Sequence, residues 1–131
     1  MDNDDYIKKL EEEMNEVYHQ ITCAKSELHS VRYFSACREY YADLDYTNAK
    51  KRIKDEYYWG LIYGRPGSFK EKRQKYKEAM DDLKTRGRDI VQNEKKAARD
   101  DVRKAEDRLN ALKEEYASLQ AEYEVAIKEK K

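Results

Sequence analysis

From Ile7 onward, apolar residues recur at Ile7, Leu10, Met14, Val17, Ile21, Ala24, Leu28 and Val31, spaced 3,4,3,4,3,4,3. On a helix of about 3.6 residues per turn, that spacing keeps one apolar stripe facing a partner helix. Charged residues fill the positions between. The last third repeats the pattern at Ala98, Val102, Ala105, Leu109, Leu112, Tyr116, Leu119, Tyr123 and Ala126, spaced 4,3,4,3,4,3,4,3. The two blocks predict two long helices. Asp2-Asn3-Asp4-Asp5 supplies capping residues and negative charge for the positive end of the first helix dipole. Lys128, Lys130 and Lys131 suit the opposite end of the second.

One segment interrupts the pattern, Gly60-Leu61-Ile62-Tyr63-Gly64-Arg65-Pro66-Gly67-Ser68, with the only Pro and three of the four Gly. Gly64 suits the left-handed residue after a helix, and Pro66 stops the helix from continuing. Gly60 and Gly67 complete the set of expected turn residues. Ser68-Phe69-Lys70-Glu71 matches a capping box that opens a new helix. Folding the chain about residue 65 pairs residue i with about 130−i, which lays the two heptad blocks on each other. The expected fold is all-α: a long antiparallel helical hairpin (coiled coil) forming a single domain, 1–131. Its first arm covers about 5–59, its turn 60–68 and its second arm about 69–130.

The half nearer the turn is less regular. Asp43, Asp45, Thr47 and Asn48 are mediocre helix formers, so a kink or short extra helix is expected near 43–58. In the second arm Phe69, Tyr76, Met80 and Leu83 are spaced 7,4,3. Leu83, Gly87, Val91 and Lys95 then step by four, a stutter that locally unwinds a supercoil.

Composition narrows the function. The 131 residues carry 28 Lys+Arg and 28 Asp+Glu, 43 % charged and net zero. That argues against a dedicated nucleic-acid binder. No apolar run approaches the ~20 residues of a membrane span, and no secretory leader opens the chain. The neutral total hides a gradient. Residues 1–45 hold 5 basic and 11 acidic side chains, a balance of −6; residues 46–90 hold 13 and 7, a balance of +6; residues 91–131 hold 10 and 10. The aromatic residues follow the positive charge: 11 of the 15 lie within 33–76. Two helices share one buried seam and cannot hide them all. Tyr and Trp couple a large apolar body to a polar handle, which interfaces favour. Tyr57, Tyr58, Trp59, Tyr63 and Phe69 are therefore the expected partner-binding residues at the tip.

Catalytic and cofactor chemistry finds no footing. His19 and Cys23 are i,i+4 on one face, His29 does not complete a metal site, and no C-x₂-C or H-E-x-x-H pattern occurs. Gly64-Arg65-Pro66-Gly67 lacks the strand and the Lys-Ser/Thr of a phosphate loop. Acidic pairs such as Asp81-Asp82 read as a solvated face. Cys23 and Cys37, 14 residues apart on one helix and so about 21 Å along it, cannot bridge. Two unpaired thiols fit a reducing compartment, the cytoplasm. Lys50-Lys51-Arg52 and Lys84-Thr85-Arg86-Gly87-Arg88 sit among aromatic residues, as in single-strand binders, but acids interleave with them. No enzyme activity, cofactor or metal is expected, and nucleic acid is disfavoured. Tyr41-Ala42-Asp43-Leu44-Asp45 contains Y-x-x-x-D, which places Tyr41 and Asp45 on one helix face.

The heptad arm from residue 5, Tyr58-Trp59-Gly60 at the turn, Phe69 soon after and the long Leu/Ala-rich second arm resemble the WXG-type small helical proteins of the Gram-positive type VII secretion system. The likeness is greatest to longer coiled-coil members associated with LXG-type toxins. Here Gly60 follows Trp59 directly, without the residue that separates them in W-x-G, and the Y-x-x-x-D lies in the first arm rather than after the second. The resemblance implies a non-enzymatic, chaperone-like partner that pairs with the helical domain of a toxin and aids its targeting. It also implies that Tyr41 and Asp45 act as an export motif, so that the protein leaves the cytoplasm with its partner. The competing readings are a phage-encoded inhibitor of a host enzyme or defence complex, anti-CRISPR-like, and a self-associating structural coiled coil, a homodimer.

Overall fold

A computed structural model describes residues 3–64 and 66–130. Asp2, Arg65 and Lys131, named above, lie outside the described residues. The chain is a helical hairpin: α1 (Asn3–Ile62), then α2 (Phe69–Asp82), a π-helical turn (Leu83–Gly87) and α3 (Arg88–Lys130). No strand occurs among the described residues. Asp4 and Asp5 occupy the first turn of α1, and Lys128 and Lys130 the last turn of α3, each complementing its helix dipole.

The turn is built as its residues dictate. The Tyr63 N–H donates to the Trp59 carbonyl at 2.9 Å, the last bond of the α1 ladder. Gly64 then takes φ +61°, the left-handed conformation that a side chain would strain, and Gly67 takes φ +115°. Ser68 caps α2: its backbone is extended and its Oγ accepts from the Glu71 N–H at 3.2 Å. Gly60 departs from the turn expected at 60–68. It is buried inside α1, and the chain leaves the helix only after Ile62.

A second difference concerns 43–58. α1 runs through that stretch as unbroken α-helix, with no separate short helix. Weak propensity at Asp43, Asp45, Thr47 and Asn48 costs only tenths of a kcal/mol per residue, which packing and ion pairs overcome. The irregular backbone falls on the other arm, at Leu83–Gly87. There the stutter explains it. Each four-residue step overshoots a turn by about 40°, so three in succession swing the stripe away from α1. A wider π turn rotates less per residue and recovers part of that drift. Thr85 supports the widened turn, its hydroxyl donating to the carbonyls of Asp81 at 3.0 Å and Asp82 at 3.1 Å.

Contacts divide the chain into two compact units. One comprises Met1–Tyr33 with Asp100–Lys131, the other Phe34–Arg99. In the first, Val17, Ile21, Ala24, Leu28 and Leu109 form a buried cluster flanked by Val102, Ala105, Leu112, Tyr116 and Leu119. Ile7, Leu10 and Ala126 form another, with Leu119, Tyr123 and Ile127 against it. These are the two heptad stripes, interdigitated. Exposed polar pairs flank them: Lys130 with Asp4 at 2.7 Å, Arg32 with Glu106 at 3.1 Å, and Arg108 with Glu27. Such pairs contribute at most about 1 kcal/mol each and mainly select the register.

In the second unit, Ser35 and Ala98 are buried, and the Ser35 hydroxyl donates to the Ala98 carbonyl at 3.0 Å. Arg38 pairs with Glu94, Arg99 with Glu39 at 2.9 Å, and Lys95 with Asp43 at 2.9 Å. Tyr57 stacks on Tyr76 with ring centroids 4.5 Å apart. Residue i therefore faces about 134−i, one turn beyond the expected 130−i, because α1 continues past Gly60 before the chain reverses.

Among the described residues no helix is long and apolar enough to cross a membrane.

Candidate partner-binding surface

The second unit holds ten of the eleven aromatic residues that cluster in 33–76. Three of them, Tyr46, Tyr57 and Tyr76, are half-buried between the arms, and the other seven are exposed. Tyr58, Trp59, Ile62 and Tyr63 form two i,i+4 ridges on the last turns of α1. The Trp59 and Tyr63 rings stack at 5.3 Å with an interplanar angle of 16°. Trp59 is 51 % exposed and Tyr63 73 %. Phe69, at the start of α2, is exposed as well. Of the five expected tip residues, Tyr58, Trp59, Tyr63 and Phe69 thus present apolar surface to solvent. Tyr57 instead turns inward, its i,i+1 neighbour relation to Tyr58 putting it on the face that meets Tyr76.

Two concavities accompany this surface within the same unit. The larger, about 570 Å³, is lined on α1 by Arg38, Tyr41, Ala42, Asp45, Tyr46 and Ala49. Leu83, Gly87, Ile90, Val91 and Glu94 close it from the second arm. It exists because small residues stand at seam positions. A Cβ at Gly87 would lie 2.8 Å from Leu83 Cδ1 and 3.4 Å from Tyr46 Cδ2, so only glycine lets the Tyr46 ring rest there without displacing Leu83. Tyr41 and Asp45, the export-motif candidates, both line this groove, and Tyr41 meets Tyr40 edge to face at 5.5 Å. The smaller concavity, about 310 Å³, lies near the turn, with Ile53, Tyr57, Gly60, Pro66, Tyr76 and Ala79 forming apolar walls. Lys72, Lys75 and Glu56 also line it.

Sequence reading missed both concavities as sites. A signal for the larger was present: Ile7, Met14, Ile21, Leu28, Ser35, Ala42 and Ala49 occupy one heptad position, and the residues shrink after Leu28. The smaller depends on Gly60 and on the pairing of Tyr57 with Tyr76, which no single-strand pattern encodes.

Among the described residues, Glu94, Tyr6 and Tyr123 have displaced titrations. The hydrogen bond from Arg38 holds the Glu94 carboxyl below its ordinary range, outweighing partial burial. Partial burial and the adjacent Glu122 raise the Tyr6 phenol. The bond that the Tyr123 hydroxyl donates to Glu11 at 3.1 Å raises the Tyr123 phenol. All three belong to ion-pair and hydrogen-bond contacts between the arms. The free thiols are Cys23, exposed, and Cys37, half-buried, and the His19 ring packs edge-on against Tyr18. Among the described residues no group of three or more His, Cys, Asp or Glu is placed to hold a metal ion.

No family model, curated protein or solved structure matches this chain.

Proposed function

We propose that this chain is a non-enzymatic protein–protein interaction module, acting as a targeting or chaperone-like partner of the helical domain of a type VII secreted LXG-type toxin. The observation that carries the interaction role is the exposed aromatic surface of Tyr58, Trp59, Tyr63 and Phe69 on a helical hairpin. Exposed rings of this kind desolvate well against a partner and rank among the commonest interface anchors. The resemblance of the chain's plan to type VII secretion proteins supplies the class of partner. In this reading Tyr41 and Asp45, one turn apart on α1, are the export motif.

Co-expression with the N-terminal helical domain of an LXG-type toxin tests it. A stable stoichiometric complex is expected on size-exclusion chromatography. Tyr58→Ala with Trp59→Ala is expected to weaken the complex at least about tenfold, as hot-spot truncation does, while far-UV helicity holds. Asp45→Asn should block export and leave the complex intact. A homodimer that excludes the toxin domain overturns the reading. Loss of helicity in the double variant would mean that these rings belong to the core.

A further inference from the structure

We infer that the tip of the second unit recognises an acidic, amphipathic protein segment, whose apolar side chain enters the small concavity near the turn while its carboxylates meet Lys72 and Lys75. The inference deepens the proposed function by giving the partner a chemistry, and it rests on that reading.

Three observations converge. First, the concavity is about 310 Å³, the low end of the range for a ligand pocket, and enough for one large apolar side chain. Its walls are the stacked Tyr57 and Tyr76, Ile53, Ala79 and Pro66, and the buried, side-chain-free Gly60 leaves part of the room. Second, Lys72 and Lys75 are i,i+3 on α2 and stand on one face of that helix at the rim. Glu56 lines the site too, so the two lysines outweigh one acid there. Third, the surroundings share the sign. The unit holds 17 basic and 11 acidic residues, +6, whereas the other unit holds 11 and 17, −6. An apolar anchor carried between carboxylates matches both the walls and the field. On the same last turns of α1 as Gly60, Trp59 and Tyr63 offer a flat stacked surface for the rest of such a segment.

Single-stranded nucleic acid also pairs stacking rings with cations. The observations favour protein. Asp55, Glu56, Glu71, Glu78, Asp81 and Asp82 interleave with the cations and would oppose a continuous phosphate backbone, while a helix can place its carboxylates only where lysines stand.

Trp59 is the only tryptophan and adjoins the pocket-lining Gly60 in sequence, so its emission is the reporter. The probes are a 21-residue amphipathic peptide with Leu at heptad a and d positions and Glu and Gln between, the same peptide with Lys for Glu, and an oligothymidylate. Addition of the acidic peptide to the full chain is expected to give a saturable blue shift of Trp59 emission. Its affinity should fall about tenfold between 50 and 300 mM salt, as screening requires. The basic peptide should leave the emission unchanged. Lys72→Glu with Lys75→Glu should weaken binding at least about tenfold, and the milder Lys72→Gln with Lys75→Gln should weaken it several-fold, each with unchanged far-UV helicity. Lys104→Glu in the other unit should have no effect.

The inference falls if the acidic peptide fails to bind, if the lysine variants bind as tightly as the native chain, or if the oligothymidylate binds more tightly. It falls as well if Trp59 emission shifts with the protein's own concentration, since a second copy would then be the occupant. A toxin-domain complex that survives Lys72→Glu with Lys75→Glu, yet breaks with Tyr58→Ala and Trp59→Ala, removes the acidic-segment inference and leaves the interaction role standing.

Discussion

The two units fill the space between their arms differently. In the first, Ile7, Met14, Ile21 and Leu28 stand at one seam position and Leu10, Val17, Ala24 and Val31 at the other, all buried or half-buried. In the second, the same spacing continues as Ser35, Ala42 and Ala49, and as Arg38, Asp45 and Arg52, but Asp45 and Arg52 are exposed and Tyr46, Ile53 and Tyr57 turn inward instead. The first unit therefore closes an apolar seam, and its few exposed large apolar side chains, Tyr6, Tyr18, Tyr33 and Val125, are scattered. The second buries Ser35 and Ala98 at one end and Gly60 and Met80 nearer the turn, and between them leaves a groove of about 570 Å³ where the large residues are missing. Seven of its ten rings lie on the surface, and only Tyr46, Tyr57 and Tyr76 turn between the arms. Apolar area spent outside the seam does not stabilise the pair of helices, so the second unit gives up packing that the first retains. That difference is the physical case behind the proposal that the second unit binds a partner.

The contrast is open to direct attack. The largest effect is expected from Leu109→Asp, which buries an unpaired carboxylate in the seam of the first unit, where Leu109 is 7 % exposed. A cost of about 4 kcal/mol or more is expected, seen as loss of cooperative melting at 222 nm. A native-like melt would show that the first unit is no better sealed than the second.

A smaller effect of opposite sign comes from continuing the large-residue pattern. Ala42→Leu with Ala49→Leu should fill the groove and raise stability by about 1 kcal/mol, or a melting temperature higher by about 3–5 °C. If the double variant is destabilised, the groove is already packed to its limit.

Gly87→Ala pits two effects of similar size against each other. Removing a helical glycine contributes up to about 1 kcal/mol, and displacing the flexible end of Leu83 costs a comparable amount. A net change within about 0.5 kcal/mol is expected by thermal melt. A loss above about 2 kcal/mol would mean that the π turn depends on a bare backbone at this residue.

The smallest effects are in pH dependence, and they differ between the units. Glu94 has its folded pKa lowered by Arg38, so its contribution is present above the unfolded glutamate value, about 4.3, and is lost as pH falls through the folded value. Tyr6 and Tyr123 have folded pKa values raised, so theirs is present below the unfolded phenol value, about 10, and is lost as pH rises through the folded value. Glu94→Gln should flatten the acid limb of a melting-temperature profile, and Tyr123→Phe the alkaline limb. Unchanged limbs would show these contacts to be too solvated to matter.

The heptad blocks, the glycines at 64 and 67, Pro66 and the Ser68 cap were readable because each acts locally. Helical spacing, a left-handed backbone and an N-cap depend on residues within a turn or two of one another. Exposure of most tip rings was readable by elimination, since one seam cannot hold them. What the linear pattern withheld was pairwise. Weak formers at 43–58 suggested a kink or short extra helix, yet α1 runs through them as unbroken helix, and the irregular backbone falls at the stutter on the opposite arm, Leu83–Gly87. The one-turn difference in register, the inward face of Tyr57 against Tyr76 and the two concavities likewise arise only when the arms meet. Local geometry is set by neighbours in the chain. The depth of a groove is set by the shape of whatever lies across from it, and that is known only once the chain has folded back.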